Sequence, residues 1–207
     1  MVKELKYIII EYTDKDLEYI DDICKEIDSK SQEIIDFFEI GNIDNKVQVK
    51  IFDDIKDFRE FYTNFYNEEP KKWACGFASD YDVYTLSLSE YRKCYTHEKA
   101  SISDLMKLII HEFIHVAHAK RNNNLDCKWL REGLATYLSG QYSDASSINC
   151  TYDELLNGCS YINYKVMFEY VLNNYGKEYV LKLIDDEEFL NKETKRLYEE
   201  AKNIKVK

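Results

Sequence analysis

This chain of 207 residues contains only one proline, Pro70, and only six glycines. Proline breaks helices and the interiors of sheets, and glycine supplies the backbone freedom that many tight turns need. A fold with many short strands and turns therefore usually contains more of both. Their scarcity favours long helices over a loop-rich all-β fold. Hydrophobic residues make up 45% of the chain and charged residues 32%, which suits a domain with a sizeable core.

The first half of the chain alternates between strand patterns and helix patterns. Short apolar runs and every-other-residue patterns predict strands, whereas apolar residues near every third or fourth position predict amphipathic helices. Asp14 is the predicted cap of the first helix. In order, the predicted elements are a strand at 5–12, a helix at 15–39, a strand at 45–54, a helix at 55–66, and strands at 74–79 and 82–89 joined by a turn at 80–82.

The second half of the chain has helical patterns only. The first of these helices is capped by Ser101 or Ser103 and runs to about residue 121. Gly176 is well placed to end a later helix, because glycine is favoured just beyond a helix terminus. The remaining predicted helices cover 128–140, 152–157, 161–175 and 177–203.

These patterns predict one α+β domain over residues 1–207, with two lobes that meet at the 101–121 helix. The lobe at 1–121 combines a mixed sheet with helices, and the lobe at 122–207 is all helical. No apolar run reaches the roughly 18 residues that a membrane-spanning helix needs. The N-terminus lacks the pattern of a signal peptide. A cytoplasmic protein is therefore expected, with secretion by another route left open.

Charge and cysteine content restrict the partners and the redox state. The formal net charge of −11 disfavours nucleic acids and anionic membrane surfaces as partners. The six cysteines are irregularly spaced and form no CxxC pair, so a zinc ribbon is not expected. In a cytoplasmic chain such cysteines are expected as free thiols, and disulfides are expected only after export. The cysteines are residues 24, 75, 94, 127, 150 and 159.

The motif HEFIH, residues 111–115, places two histidines on one face of the predicted 101–121 helix. His111 and His115 are one helical turn apart, so both imidazoles can reach a single Zn²⁺ at about 2.0–2.1 Å. Glu112 is rotated by about 100° from His111, where it can hold a metal-bound water and accept its proton. Apolar neighbours indicate a buried helix, in which ionisable groups are costly unless paired or metal-bound. On its own, however, HExxH also occurs by chance.

A catalytic zinc needs a third protein ligand and one open position. The segment WLREGLATYL, residues 129–138, supplies Glu132, which follows His115 by 17 residues (132 − 115). That gap allows the first helix to end, a loop to turn at residues 121–127, and a second helix to return past the metal. The alternative for Glu132 is an exposed acid near a helix start. That alternative does not explain the small and apolar residues around it.

The two motifs together resemble the gluzincin branch of zinc metallopeptidases, within the peptidase MA-like group. The shared pattern is HExxH at 111–115 followed by W-L-x-E-G-x-A-x-Y at 129–137. The resemblance covers about residues 101–176. It implies a zincin-like fold, a Zn²⁺ cofactor and Glu132 as the third zinc ligand.

The remaining histidines of this region are not expected to bind the same metal ion. The metzincin pattern HExxHxxGxxH is absent, because His118 stands in place of its glycine and Arg121 in place of its last histidine. His118 lies roughly 10 Å along the helix axis from His111, so one zinc cannot bind both of them together with His115. A structural or supporting role for His118 is the better interpretation. His97, in the loop before the helix, resembles an ordinary surface histidine.

The resemblance also implies a donor for the oxyanion that peptide hydrolysis creates. In the aminopeptidase branch of gluzincins, a tyrosine opens the helix after the zinc site and a glycine closes it. Tyr161 and Gly176 match that spacing, so Tyr161 is the expected donor and Tyr164 the alternate. Both tyrosines could instead simply pack in the core. In zincins of similar build an edge strand pairs with the substrate, and the strand at 82–89 is expected at that edge.

The expected activity is hydrolysis of peptide bonds by a zinc-bound water that Glu112 activates, with Tyr161 supporting the oxyanion. The exopeptidase signature G-x-M-E-N is absent, which favours an endopeptidase acting on peptide or protein substrates. One alternative is a zincin-shaped binding or regulatory protein with little turnover, although an intact Glu112 argues against it. Another is a latent enzyme whose segment 185–207 blocks the cleft, although a solvated C-terminal helix is the preferred interpretation.

Overall fold

The computed structural model describes residues 1–41, 43, 45–79 and 81–203. Within these residues the chain forms a five-stranded mixed sheet and nine α-helices, so the predicted α+β class is confirmed. The strands are β1 (Val2–Glu4), β2 (Ile8–Glu11), β3 (Val47–Phe52), β4 (Gly76–Ala78) and β5 (Val83–Leu86). The helices are α1 (Ile20–Phe38), α2 (Ile55–Tyr66), α3 (Leu88–Tyr91), α4 (Ile102–Asn122), α5 (Lys128–Leu138), α6 (Tyr152–Asn157), α7 (Tyr161–Tyr175), α8 (Lys177–Asp185) and α9 (Glu187–Lys202).

The strand order in the sheet is β1-β2-β3-β5-β4. The pairs β2–β3 and β3–β5 are parallel, whereas β1 and β4 lie antiparallel at the two edges. The prediction that residues 82–89 form an edge was wrong, because β5 pairs on both sides and β4 takes the edge. Between them, the Ser79 N–H donates to the Asp82 carbonyl at 2.8 Å. Asp80, the first residue of the predicted turn, lies outside the described residues.

The two faces of the sheet are covered by different helices. On one face Phe77 of β4 stacks on Tyr84 of β5, with 4.8 Å between ring centroids, and Phe61 of α2 packs against both rings. On the other face α4 approaches β4 closely, since a Cβ at Gly76 would lie 3.2 Å from the Leu108 side chain. Adjacent residues of a strand point to opposite faces, so Gly76 faces α4 and Phe77 packs against α2. This packing places the edge strand beside the HEFIH motif.

Helix α4 carries the HEFIH motif through the interior of the protein. The Ser101 hydroxyl accepts a hydrogen bond from the Asp104 N–H at 3.2 Å, and the Asp104 carboxylate accepts one from the Ser101 N–H at 2.8 Å. This reciprocal capping box decides between the two predicted caps in favour of Ser101. Helix α4 then packs against the sheet, α1 and α5. Both histidines of the motif are therefore held on a buried helix.

The strand predicted at 5–12 is confirmed for Ile8–Glu11, which form β2, but its first residues form the turn of a hairpin with β1. The Leu5 N–H donates to the Ile8 carbonyl at 2.8 Å, which closes a tight turn between β1 and β2. The Lys46 ammonium also donates to the Leu5 carbonyl at 2.7 Å. The apolar run continues across this turn because Tyr7 is buried as well. Apolar periodicity therefore could not locate the break.

The predicted capping of the first helix by Asp14 was wrong. Thr13 caps a short 3-10 helix at Asp14–Asp16, and α1 begins only at Ile20. The buried Asp16 carboxylate accepts hydrogen bonds from the Thr13 N–H at 3.1 Å and from the Tyr19 hydroxyl at 3.1 Å. These bonds hold a separate turn before the helix, so the helix starts later than its acidic N-terminal sequence suggests.

The predicted helix at 177–203 is two helices, α8 and α9. Asp186, between them, has an extended backbone with φ −131° and ψ 96°, and its carboxylate accepts a hydrogen bond from the Phe189 N–H at 2.9 Å. Such a cap satisfies a free N–H of the first turn and starts a new helix. Helix α9 is not fully solvated, because Leu190 and Leu197 are buried where it packs on α7 and α8.

Helices α5 and α7 pack too closely to admit a side chain between them. A Cβ at Gly133 of α5 would lie 2.4 Å from the carbonyl oxygen of Tyr164 on α7 and 3.0 Å from the Cβ of Phe168. Gly133 directly follows Glu132, and α7 begins at Tyr161. This contact therefore fixes two of the predicted site residues relative to each other.

Replacing Gly133 by Ala is expected to destabilise the protein. A Gly-to-Ala change inside a helix normally stabilises it by about 0.5–1 kcal/mol. Here the new methyl group would overlap the Tyr164 carbonyl, and overpacking of this kind costs about 1–3 kcal/mol. Urea unfolding should therefore give a lower free energy of unfolding for the variant. Equal or higher stability would contradict the close approach of α5 and α7.

One hydrophobic core extends from Tyr7 near the N-terminus to Ala201 in α9. Helix α4 lies between the parts of this core, in contact with the sheet as well as with α5 and α8. In the described part of the chain, no helix is long and apolar enough to cross a membrane.

Candidate metal centre and active site

The three predicted metal ligands meet at one point in the fold. His111 and His115 come from consecutive turns of α4, and Glu132 comes from α5, which packs against α4. Nε2 of His111 lies 3.1 Å from Nε2 of His115 and 3.3 Å from Oε2 of Glu132. The same carboxylate oxygen lies 3.5 Å from Nε2 of His115. His111 and Glu132 are buried, and His115 is half-buried.

These separations suit a tetrahedral zinc ion. With zinc–ligand distances of about 2.0–2.1 Å, two corners of a tetrahedron lie roughly 3.3–3.4 Å apart. The observed separations of 3.1, 3.3 and 3.5 Å bracket that value. Two imidazole nitrogens and one carboxylate oxygen are also a donor set of open catalytic zinc sites, in which the fourth corner serves water or substrate. The residues present therefore fit a zinc ion.

Hydrogen bonding within the chain gives independent support for this fit. Oε2 of Glu132 is buried and has no hydrogen-bond partner among the described residues. Buried polar atoms are nearly always paired, so an unpaired oxygen that faces two imidazole nitrogens is typical of a metal ligand. Nδ1 of His111 and Nδ1 of His115 are also buried without a partner in the described chain. Among the described residues, neither Nδ1 atom therefore has the carboxylate or carbonyl partner that usually orients a ligating imidazole.

The three groups shift each other's pKa. Burial by itself raises the pKa of Glu132, but the imidazoles of His115 and His111 outweigh it and hold that pKa well below its usual range. Burial likewise lowers the pKa of His111, but the carboxylates of Glu132 and Glu112 outweigh it, so the net shift is upward. Glu132 is therefore ionised at neutral pH, which is the form that binds a cation.

Glu112 follows His111 on α4, and its carboxylate is not part of the triangle of ligand atoms. Its carboxylate makes no hydrogen bond with any residue that the structure describes. Burial raises the pKa of Glu112, and the charges of His111 and His115 offset only part of that rise. A carboxylate with a raised pKa accepts a proton more readily than an exposed glutamate does. Glu112 has the environment of a general base.

A pocket of about 580 Å³ opens onto the candidate metal centre. Its walls come from the chain leading into β4, the loop before α4, the first half of α4, the segment after α5, and the start of α7. Several lining residues were not predicted as part of a site, namely Trp73, Gly76, His97, Lys99, Lys107, Gln141 and Tyr142. Helical spacing could have identified Lys107, which lies four residues before His111. The other lining residues named here show no local sequence pattern that indicates a functional site.

The structure distinguishes the two candidate tyrosines. Tyr161 lines the pocket, and its ring centroid lies 6.0 Å from that of His111. Tyr164 is fully buried, and its hydroxyl accepts a hydrogen bond from the Cys159 N–H at 2.9 Å. Burial and the charge of Glu132 raise the pKa of Tyr161, so its hydroxyl keeps its proton and remains a donor. Of the two candidates, Tyr161 is therefore the one placed to contact a ligand in the pocket.

The two other histidines are placed differently. His118 is buried with its ring edge-on to Phe38, at 6.1 Å between centroids, which agrees with a structural role. Burial lowers the pKa of His118 to about 3, so it stays neutral. His97 is not an ordinary surface residue. It lies half-buried in the pocket wall, 4.8 Å from the Tyr91 ring.

The six cysteines are free thiols, as predicted, and none belongs to the cluster of candidate metal-ligand atoms. Cys75 lines the pocket, and its thiol donates to the Trp73 carbonyl at 3.3 Å. The neighbouring Cys94 thiol and burial raise the pKa of Cys75, so it is a neutral wall residue at physiological pH.

Comparison of the chain with family models, with curated proteins and with solved structures found no match. The gluzincin resemblance therefore rests on the two motifs and on the geometry of the residues that they contain.

Proposed function

We propose that this protein is a zinc-dependent peptidase of the gluzincin type. The observation that carries the proposal is the meeting of His111, His115 and Glu132 at zinc-like separations. Of these three, His111 also lines a pocket that contains Glu112 and Tyr161. Two imidazoles and a carboxylate suit a catalytic zinc, a buried carboxylate suits a base, and a protonated phenol suits an oxyanion donor.

In the proposed mechanism, each of these side chains has a separate role. When bound, zinc supplies positive charge that makes a water more acidic and polarises a carbonyl group. The Glu112 carboxylate takes a proton from the attacking water and then passes it to the leaving amine. Its raised pKa suits both steps, because the carboxyl group must hold the proton between them. The Tyr161 hydroxyl donates a hydrogen bond to the former carbonyl oxygen as negative charge develops there.

The edge strand β4 offers a place for an extended substrate backbone. It pairs with β5 on one side, and no described strand covers its other side. Gly76 of β4 and the preceding Ala74 and Cys75 line the pocket. A peptide that adds to this edge gains main-chain hydrogen bonds without a required side-chain sequence. This arrangement favours cleavage within a peptide, in keeping with the missing exopeptidase signature.

The C-terminal helix gives no support to the alternative of a latent enzyme. The segment 185–207 is described to residue 203, and that part packs as α9 on α7 and α8. Among the described residues, those that line the pocket end at Tyr161. No described part of this segment closes the pocket.

A peptide-library assay tests the proposed function. Protein purified without added metal is incubated with a broad library of blocked peptides, and the products are identified by mass spectrometry. We expect cleavage at internal bonds, its loss after chelation, and its return when zinc is restored. Folded, zinc-loaded protein that cleaves nothing would favour a zincin-shaped binding or regulatory protein instead.

Replacing Tyr161 by Phe is expected to lower kcat by about 10²-fold, the usual scale for the loss of one oxyanion donor. KM and zinc content should change little, because the lost hydrogen bond strengthens mainly in the transition state. Steady-state kinetics on any cleaved peptide measures the effect. The matched control is Tyr164→Phe, which removes the hydroxyl that pairs with the Cys159 N–H. We expect the control to lose stability while keeping kcat, and the reverse pattern would assign the role to Tyr164.

A further inference from the structure

Lys107 lies one helical turn before His111 on α4 and lines the same pocket. Its side chain is half-buried, and its Cε lies 4.0 Å from the position that a Cβ on Gly140 would take. Its ammonium group makes no hydrogen bond or ion pair with any residue that the structure describes. A partly desolvated ammonium is costly without a partner. Lys107 is thus an unpaired cation beside the candidate metal centre.

The acids that share the pocket with Lys107 have other roles. The Asp104 carboxylate accepts hydrogen bonds from the Ser101 N–H at 2.8 Å and from the Ser101 hydroxyl at 2.7 Å. Burial tends to raise the pKa of Asp104, but these hydrogen bonds and the charge of Lys107 hold it below its usual value. Glu112, the other acidic residue of the wall, is the proposed base. Neither carboxylate forms an ion pair with the Lys107 ammonium.

A second ammonium group lines the same pocket. Lys99 is exposed, lies in the loop before α4, and likewise has no hydrogen bond or ion pair within the described residues. His97 adds no charge at neutral pH, because burial lowers its pKa. The two lysines place two positive charges in the pocket wall, beside the carboxylates of Asp104 and Glu112, in a chain whose formal net charge is −11. These two ammonium groups are therefore a local feature of the pocket and do not follow from the overall charge.

We infer that Lys107, assisted by Lys99, binds a carboxylate of the substrate, so that the pocket selects acidic peptides. This inference rests on the proposed peptidase function and names its substrate class. Four residues of α-helix rise about 6 Å, and an extended peptide advances about 3.3 Å per residue. The selected carboxylate therefore lies within about two residues of the cleaved bond. An Asp or Glu side chain and a free C-terminus present the same chemistry.

Matched peptides test the inference. One set carries Glu or Gln at each position within two residues of the cleaved bond, and another pair ends in a free carboxylate or an amide. We expect kcat/KM to be about 10- to 100-fold higher for the charged member of one pair, the range of a hydrogen bond to a charged group. Lys107→Met should abolish this preference and Lys107→Glu should reverse it. The pair that responds identifies the source of the carboxylate.

Lys120→Met is the matched control. It removes the same charge from the same helix, but Lys120 lies over the Tyr81 ring at 5.3 Å, outside the pocket. The preference for the charged peptide should survive in this variant. A wild-type protein without such a preference, or a preference that Lys107→Met leaves intact, overturns the inference.

Calorimetric binding to the Glu112→Gln variant separates this inference from the proposed activity. The charged peptide should bind about 10- to 100-fold more tightly than the matched peptide that lacks the carboxylate. Adding Lys107→Met should remove the difference. If no peptide is cleaved by the wild type while the binding difference persists, the peptidase proposal fails and the carboxylate site stands. If peptides are cleaved but the binding difference is missing, the inferred carboxylate site is refuted and the peptidase proposal is kept.

Discussion

Replacing Glu112 by Gln is expected to reduce peptide cleavage by about 10²- to 10⁴-fold, the usual contribution of a general base. Glutamine keeps the size of the side chain and leaves His111, His115 and Glu132 in place, so zinc content should not change. The melting temperature should stay close to that of the wild type, because the Glu112 carboxylate has no hydrogen bond to lose within the described chain. Steady-state kinetics, elemental analysis and thermal unfolding measure the three quantities.

Glu178→Gln provides the control for this result. Glu178 is exposed on α8, so the same chemical change should leave cleavage unaltered. If Glu112→Gln retained more than about a tenth of wild-type kcat, Glu112 would not be the base. If both the wild type and Glu112→Gln cleaved nothing but bound a partner equally well, the binding-module alternative would replace the peptidase proposal.

Removing two ligands together should abolish zinc binding. Protein purified without added metal is expected to hold about one zinc per chain. The double variant His111→Ala, Glu132→Ala keeps only one of the three ligands and should hold almost none. Its activity should fall to background, and elemental analysis with a cleavage assay measures both losses.

His118→Ala is the control for the loss of zinc. It removes a buried imidazole from the same helix, but that imidazole packs against Phe38 and lies outside the ligand cluster. Zinc per folded chain should therefore match the wild type, even if the new cavity lowers stability. Stoichiometric zinc in the ligand double variant would show that the metal binds elsewhere.

The clustering of the candidate metal ligands was predictable because it depends partly on local rules. Helix periodicity places His111 and His115 on one face of α4 in any surrounding fold. The 17-residue gap to Glu132 leaves room for a helix to return, and α5 begins at residue 128 as predicted. The 3.1–3.5 Å triangle was not predictable, because it depends on how α5 packs between α4 and α7. The sequence shows neither that packing nor the close contact at Gly133.

The failed predictions concern long-range pairing and short polar contacts. Nothing local distinguishes the strands at 74–79 and 82–89, and β4 became the edge because β5 pairs with β3. His97 has polar neighbours that suggest a surface loop. In the structure its N–H donates to the Cys94 carbonyl at 3.0 Å, and its carbonyl accepts from the Ala100 N–H at 2.9 Å. These bonds turn the loop under the start of α4 and place His97 in the pocket.

The contact between α5 and α7 at Gly133 also determines when the site can form during synthesis of the chain. The helix with His111 and His115 is made before the residues that pack Glu132 and Tyr161 against it. In the folded protein, α7, which follows α5 in the chain, packs against Gly133, the residue next to Glu132. An incomplete chain therefore offers two histidines without the third ligand, and two imidazoles alone hold zinc weakly. Under the proposed zinc function, metal capture therefore requires the C-terminal half of the protein to be made and packed.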